Sequence, residues 1–116
     1  MYHASMKLAK DLVAASAAPL ILSILAEGES YGYAISQRVR ALSAGEIAWT
    51  DGMLYPVLHR LEEQGLIQAR WRTAETGRAR KYYSLRRDGK AALAEQKEQW
   101  LLVHQTLAKL WGVSHA

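Results

Sequence analysis

Eight basic side chains, Arg70, Arg72, Arg78, Arg80, Lys81, Arg86, Arg87 and Lys90, fall within 21 consecutive residues and face only two acids, Glu75 and Asp88, for a local net charge of +6. Guanidinium and ammonium groups at this density are what a polyanion requires: they replace its counterions and donate several hydrogen bonds at once. Residues 1–50 and 91–116 each sum to zero, so the overall charge of +4 arises between residues 51 and 90. A solvated basic loop has the same composition. What separates the two readings is whether the chain builds a scaffold that aims these charges.

Covalent and metal chemistry have no comparable support. The four histidines, His3, His59, His104 and His115, lie in different segments. There is no HExxH pair, Gly-rich phosphate loop or nucleophile elbow. The absence of cysteine removes disulfides, thiolate catalysis and Cys-based zinc sites. His104, beside the apolar seam of the last helix, reads as a surface histidine. The expectation is a protein that is not an enzyme and has no cofactor and no metal.

The scaffold begins with residues 4–15, which carry Leu8, Leu12 and Ala15 at helical spacing, and Ser16 with Pro19 predicts a restart of the helix, because proline suits a first turn. Leu20, Ile21, Ile24 and Leu25 give the second piece its buried face, and Gly28 ends it. The 15 uncharged residues between Asp11 and Glu27 resemble a secretory signal but are too short to span a bilayer, which takes about 20 residues. They are expected to form a core helix of a soluble, cytoplasmic protein with no membrane partner.

Ser30 is a candidate cap for a helix over Tyr31 to Leu42, with Tyr31, Ile35, Val39 and Leu42 on its apolar face and Gly45 as its stop. Ile47 to Trp49 reads as a short extended piece. Thr50 then caps a helix running to about Gln64, whose buried stripe is Leu54, Val57, Leu58 and Leu61. Asp51, Gly52, Tyr55, Pro56, His59 and Glu63 must therefore face outward. Leu66 to Arg72 and Arg80 to Leu85 read as a β-hairpin around Gly77, with Tyr83 and Leu85 on the core side and Tyr82 on the other. A last helix over Arg87 to Trp111 carries Leu93, Trp100 and Leu107 at seven-residue spacing, with Val103 and Leu110 as companions and Gln96 as the one interruption. Such a seam calls for another helix, most economically its own copy in a second subunit.

The expected fold is mainly α with a small β-hairpin wing, a winged helix-turn-helix over residues 1–86 and a long C-terminal dimerisation helix over 87–116. In that architecture the third helix enters the major groove of double-stranded DNA and the wing lies on the backbone or in the minor groove. Thr50, Asp51, Gly52, Tyr55 and His59 become the groove-facing candidates, and Arg78, Arg80 and Lys81 the phosphate contacts. Gly52 lets the backbone approach closely, and the helix N-terminus with the Thr50 hydroxyl suits a phosphate. Asp51 either accepts from a cytosine amine or stabilises the helix dipole, and the dipole role is favoured. Tyr55 has an alternative place under the wing, and His59 reads equally as a plain surface residue of the helix.

The runs GESYGYAISQRV, DGMLYPVLHRLEEQGLI and GRARKYYSL, with Gly89 shortly after, together resemble the PadR-like bacterial transcriptional regulators, in their short class with a single C-terminal helix. The resemblance covers about Leu20 to Trp100. It implies a dimeric winged-helix repressor that binds a palindromic operator, often beside genes for detoxification, phenolic-acid metabolism or efflux. It also implies that Asp51 to Gln64 is the recognition helix, with Leu54, Tyr55 and Pro56 as the family's LYP. By the same match Arg78, Arg80 and Lys81 are the basic wing and Arg87 to Trp111 the dimer helix. One departure is Arg86, where the family commonly has a capping Thr, which leaves the start of the last helix open.

Leu8, Leu12, Leu93, Trp100, Val103, Leu107, Leu110 and Trp111 are the expected homodimer contacts. Trp100 would line the dimer centre, where regulators of this family hold small aromatic or drug-like effectors; a tryptophan at a heptad core position also simply packs. The competing reading is a winged-helix module that binds a protein or a ligand and has no strong affinity for DNA, suggested by Asp51 and the modest net charge.

Overall fold

The third helix forms where its cap and stripe coincide. Thr50 Oγ1 accepts the Met53 N–H at 3.2 Å, and α3 runs from Asp51 to Glu63 with Leu54, Val57, Leu58 and Leu61 buried. The molecule around it is a computed structural model that describes residues 7–113. His3, His115 and residues 4–6 of the expected first helix lie outside the described residues.

The first helix departs from its expected division. Instead of two pieces, a single α1 spans Lys10–Ala26 and passes through Pro19, with Ser16 Oγ donating to the Val13 carbonyl at 3.1 Å inside it. A mid-helix proline removes one N–H and costs about 3 kcal/mol or more. Here Ala17, Ile21, Leu22, Ile24 and Leu25 are buried on the same helix, and each large aliphatic side chain returns about 1.5–3 kcal/mol on burial. Ala17 before the proline and the four large aliphatic side chains beyond it seat one continuous helix on the core, which outweighs the missing bond, and no restart is needed.

The next helix, α2, spans Gly32–Leu42, with Ile35 and Val39 buried. Ser30 does not cap it. Ser30–Tyr31 forms a short strand, β1, paired antiparallel with the later hairpin, Ser30 to Tyr83 and Tyr31 to Tyr82. Leu42 is exposed rather than buried, and the turn after it closes through the Gly45 N–H to the Arg40 carbonyl at 2.8 Å, with Gly45 at a φ of 84°. Ile47 to Trp49 does not form a strand: Ile47 and Trp49 pack against the core as part of an irregular connection.

The hairpin is as expected, β2 over Ile67–Thr73 and β3 over Ala79–Leu85, in the order β1-β3-β2. Its tip closes through Ala74 N–H to the Arg78 carbonyl at 2.8 Å, and Gly77, at a φ of 84°, supplies the left-handed residue. Tyr83 is buried on the core side. The last helix, α4, spans Arg87–Trp111; Arg86 makes no side-chain cap, and its N–H instead donates to the Leu66 carbonyl at 2.9 Å, tying the helix start to the base of the hairpin.

Ile21, Leu22, Ile35, Leu54, Leu58, Leu61 and Ile67 are the large side chains fully enclosed at the centre. A radius of gyration of 16.0 Å exceeds the about 13 Å of a compact chain of about 100 residues. The distal half of α4 accounts for the excess: Trp100, Leu102, Val103, Leu110 and Trp111 are all exposed along it. Among the described residues no helix is long and apolar enough to cross a membrane.

Candidate nucleic-acid interface

A cleft of about 660 Å³ separates the wing from the first turns of α2 and α3, and Asp51, Tyr55, Arg78, Arg80 and Lys81 all line it. The fold thus brings five of the eight expected DNA contacts onto one concave surface. Thr50, the N-cap of α3, and Gly52 and His59 on the helix are exposed.

Each α3 residue has a defined state. The Thr50 oxygen accepts from Met53, which leaves its own hydroxyl proton free to donate outward. Asp51 occupies the first turn, where its charge complements the helix dipole. Pro56 cannot donate to the carbonyl of Gly52, four residues earlier, so the LYP run leaves a backbone acceptor of the first turn without its usual helical donor. Tyr55 is half-exposed, and its phenol lies so close to Gly32 that a Cβ there would stand 2.4 Å from the hydroxyl. Tyr55 therefore sets the approach of α2 to α3 as well as lining the cleft. His59 Nε2 meets Glu63 Oε1 at 2.9 Å, one turn along the same exposed face.

The wing cations differ from one another. Arg78, at the tip, is exposed and has no acidic partner among the described residues. The Arg80 guanidinium lies 4.5 Å above the centre of the Tyr31 ring. Lys81 Nζ is 3.7 Å from Glu62 Oε1 on α3 and sits over Tyr83. Arg72 pairs with Glu29 and stacks 4.6 Å above Tyr82, which meets Tyr31 edge-on at 5.4 Å. The stacked guanidiniums keep their in-plane N–H groups available, because a cation–π contact uses the face and not the edge. Burial, followed by the nearby Glu62 and Tyr55, pushes the Tyr83 phenol above its ordinary range.

On the other side of the molecule Leu8, Leu12, Leu93 and Trp100 meet in an apolar groove of about 660 Å³ between α1 and α4. Leu93 is 5% exposed and belongs to the core of its own chain, so it is not held open for a partner as the seven-residue spacing suggests. Val103, Leu107, Leu110 and Trp111 lie farther along α4, with Leu107 partly covered. Two exposed aromatics of the cleft, Tyr33 and Trp71, escape the reading from sequence. Trp71 carries a usable signal in the alternation Ile67, Ala69, Trp71, which puts it on the same strand face as the core residues. Among the described residues no three His, Asp or Glu side chains gather as metal ligands.

The model of the Transcriptional regulator PadR-like family matches residues 21–95, which hold both the α3 face and the wing and end inside α4. The transcriptional regulator Rv3488 of Mycobacterium tuberculosis is 39% identical over 77 residues, 66% of this chain and 68% of that protein. The transcriptional regulator YqjI of Escherichia coli is 31% identical over 88 residues, 76% of this chain but 41% of the longer relative. Among solved structures, a transcriptional regulator from Clostridium thermocellum superposes with a TM-score of 0.79 at 30% identity, covering 88% of this chain and 96% of that one. A PadR family transcription regulator from Clostridium difficile superposes with a TM-score of 0.73 at 31% identity, covering 83% and 98%.

Proposed function

This chain belongs to the PadR-like family of transcriptional regulators, and on that premise we propose that it is a homodimeric repressor that binds a palindromic operator through the α3 face and the wing. The observation that carries the proposal is the shared cleft, which sets the first turn of α3 opposite three wing cations. A helix N-terminus and flexible cations aimed at one concavity fit the path of a phosphate backbone. In the proposal Thr50 and Gly52 meet the backbone at the helix start, Tyr55 and His59 face the groove, and Arg78 and Arg80 neutralise phosphates beside it. Lys81 joins them by releasing Glu62.

The dimer is part of the same proposal. Residues 1–86 form the reading head and residues 87–116 the spacer; Trp100, Val103, Leu110 and Trp111 supply the apolar surface that a second α4 would cover. Two heads held this way read half-sites about one helical turn, or 34–36 Å, apart. A planar aromatic effector fits the α1–α4 groove at Trp100, whose lining is predominantly apolar. It would release the operator only by favouring one spacing of the heads over the other, since equal affinity for both shifts nothing. Trp100→Ala is expected to weaken dimerisation or effector response while leaving wing contacts intact in the remaining dimer.

The test is a titration of duplex DNA over a series of salt concentrations with the wild type and with Arg78→Ala plus Arg80→Ala. The logarithmic salt slope should become shallower by about 0.9 for each phosphate that the variant no longer neutralises. Equal affinity and equal slope in the two proteins would move the assignment to a winged-helix interaction module without strong DNA binding.

A further inference from the structure

Trp71 is 67% exposed on β2, directly across from Lys81, and forms part of the cleft wall that faces α2 and α3. It contributes nothing to the enclosed core. It does not stand alone: Trp71, Tyr33 and Tyr55 are exposed in one cleft beside Arg78, Arg80 and Lys81, and an exposed apolar patch rimmed by charge marks an interaction site. Nor is it a platform for a neighbouring cation. Among the described residues the three cations that stack on rings choose tyrosines, Arg72 on Tyr82, Arg80 on Tyr31 and Lys81 on Tyr83. The largest aromatic face of the wing is left uncovered amid the densest charge of the chain. Across the cleft stands Tyr33, also 67% exposed, on the second residue of α2.

We propose that Trp71 is a DNA-contact residue that lays its ring against the deoxyribose edge of the strand running through the cleft, with Tyr33 donating its hydroxyl to a phosphate of the same strand from the opposite wall. The inference rests on the duplex-binding reading under Proposed function. The occupant follows from charge complementarity: Arg78, Arg80 and Lys81 line the same cleft against one acid, Asp51. A sugar–phosphate strand is the ligand that presents anionic oxygens and an apolar sugar side by side, and these walls present cations and an open ring side by side. Because the sugar contact is apolar, it adds affinity without displacing counterions, unlike the contacts of the neighbouring arginines. It is also indifferent to base identity, so it acts on every duplex.

The experiment uses the full chain, a short mixed-sequence duplex and a salt series, with Trp71→Ala, Trp71→Phe and Tyr33→Phe beside the wild type. Trp71→Ala should weaken binding about tenfold or more, as removal of a large buried aromatic contact does, with the logarithmic salt slope unchanged. Trp71→Phe should recover part of the loss. Subtracting the emission of Trp71→Ala from that of the wild type should isolate a fluorescence component that changes when duplex is added. Tyr33→Phe should weaken binding by a smaller factor. Wild-type affinity in Trp71→Ala would overturn the inference, and so would a loss accompanied by a shallower slope, because Trp71 would then be holding the cations rather than touching DNA. Failure of the wild type itself to bind duplex would sink the functional reading first, which keeps the two failures distinguishable.

Discussion

Gly89→Ala separates helix propensity from packing, because the two predict opposite signs. Gly89 is the third residue of α4 and is buried against the base of the hairpin. Helix propensity alone makes alanine better by up to about 1 kcal/mol. The added Cβ, however, would stand 2.1 Å from the Leu66 carbonyl oxygen and 2.8 Å from Leu85 Cδ1. A carbon needs about 3.3 Å from that oxygen, so roughly 1.2 Å of movement is required, and one of the two clashing groups is backbone that cannot rotate away. The same oxygen accepts the Arg86 N–H at 2.9 Å, and that bond, worth about 1 kcal/mol, breaks if the strand and helix separate. Overpacking costs about 1–3 kcal/mol, so the net destabilisation is about 1–3 kcal/mol. The displacement is also amplified. If α4 pivots on Leu93, the first buried anchor beyond Gly89, a shift of about 1.2 Å over about 6 Å tilts the rod about 11° and moves Trp111 by about 5 Å. Urea or thermal unfolding at equal protein concentration reads the first effect, at roughly 4–8 °C per kcal/mol, and the duplex spacing preferred by the proposed dimer reads the second. An alanine variant as stable as the wild type or more so would refute the claim that α4 is seated on Leu66.

Gly52→Ala should behave in the opposite way: its nearest neighbour would be Thr50 Oγ1 at 3.9 Å, so folding stability rises by up to about 1 kcal/mol while duplex affinity falls, and affinity rising together with stability would remove Gly52 from the contact surface. Asp51→Asn gives up a helix-dipole contribution of about 0.3–1 kcal/mol and should tighten duplex binding several-fold by removing an anion from the cleft, which denaturation and DNA titration on the same sample can check. Burial raises the Tyr83 phenol in the folded state, so its contribution to stability is complete below the ordinary tyrosine value near pH 10 and fades as pH rises through the higher folded value. Tyr83→Phe should therefore flatten the alkaline decline of the unfolding midpoint, and parallel curves above about pH 10 would assign that decline to another group.

The elements legible in the sequence are those that one local signal defines. Thr50 with the stripe Leu54, Val57, Leu58 and Leu61 locates α3, and the alternation around Gly77 locates the hairpin. The first helix is misdivided because the proline penalty is local whereas the compensation comes from residues on both sides of it that pack on other elements. The strand at Ser30–Tyr31 is invisible for a related reason: two residues carry no periodicity, and their extended state is imposed by β3. Ile47 to Trp49 has strand-forming residue types but no strand to meet. In the site, the grouping of α3 polar residues with wing cations is readable from spacing, whereas the stacking of Arg80 on Tyr31 and the pairing of Lys81 with Glu62 depend on how strands and helices lie in space.

The two-residue strand has a consequence for how the molecule is made. Tyr31 emerges from the ribosome early, yet the residue it must sit beside, Tyr82, belongs to the second arm of a hairpin encoded much later. At translation rates of roughly 5–20 residues per second, the 19 residues from the end of α3 through Tyr82 take about 1–4 s to make, and for that time α1, α2 and α3 have one seam unsewn. The stitch is made by β3, and it joins the wing to the residue immediately before α2. A nascent chain halted before Ala79 is therefore an unfinished object and not a smaller DNA reader, and a wing transplanted from a relative must bring its own match for Ser30 and Tyr31. The hairpin acts as the clasp that closes the three-helix bundle.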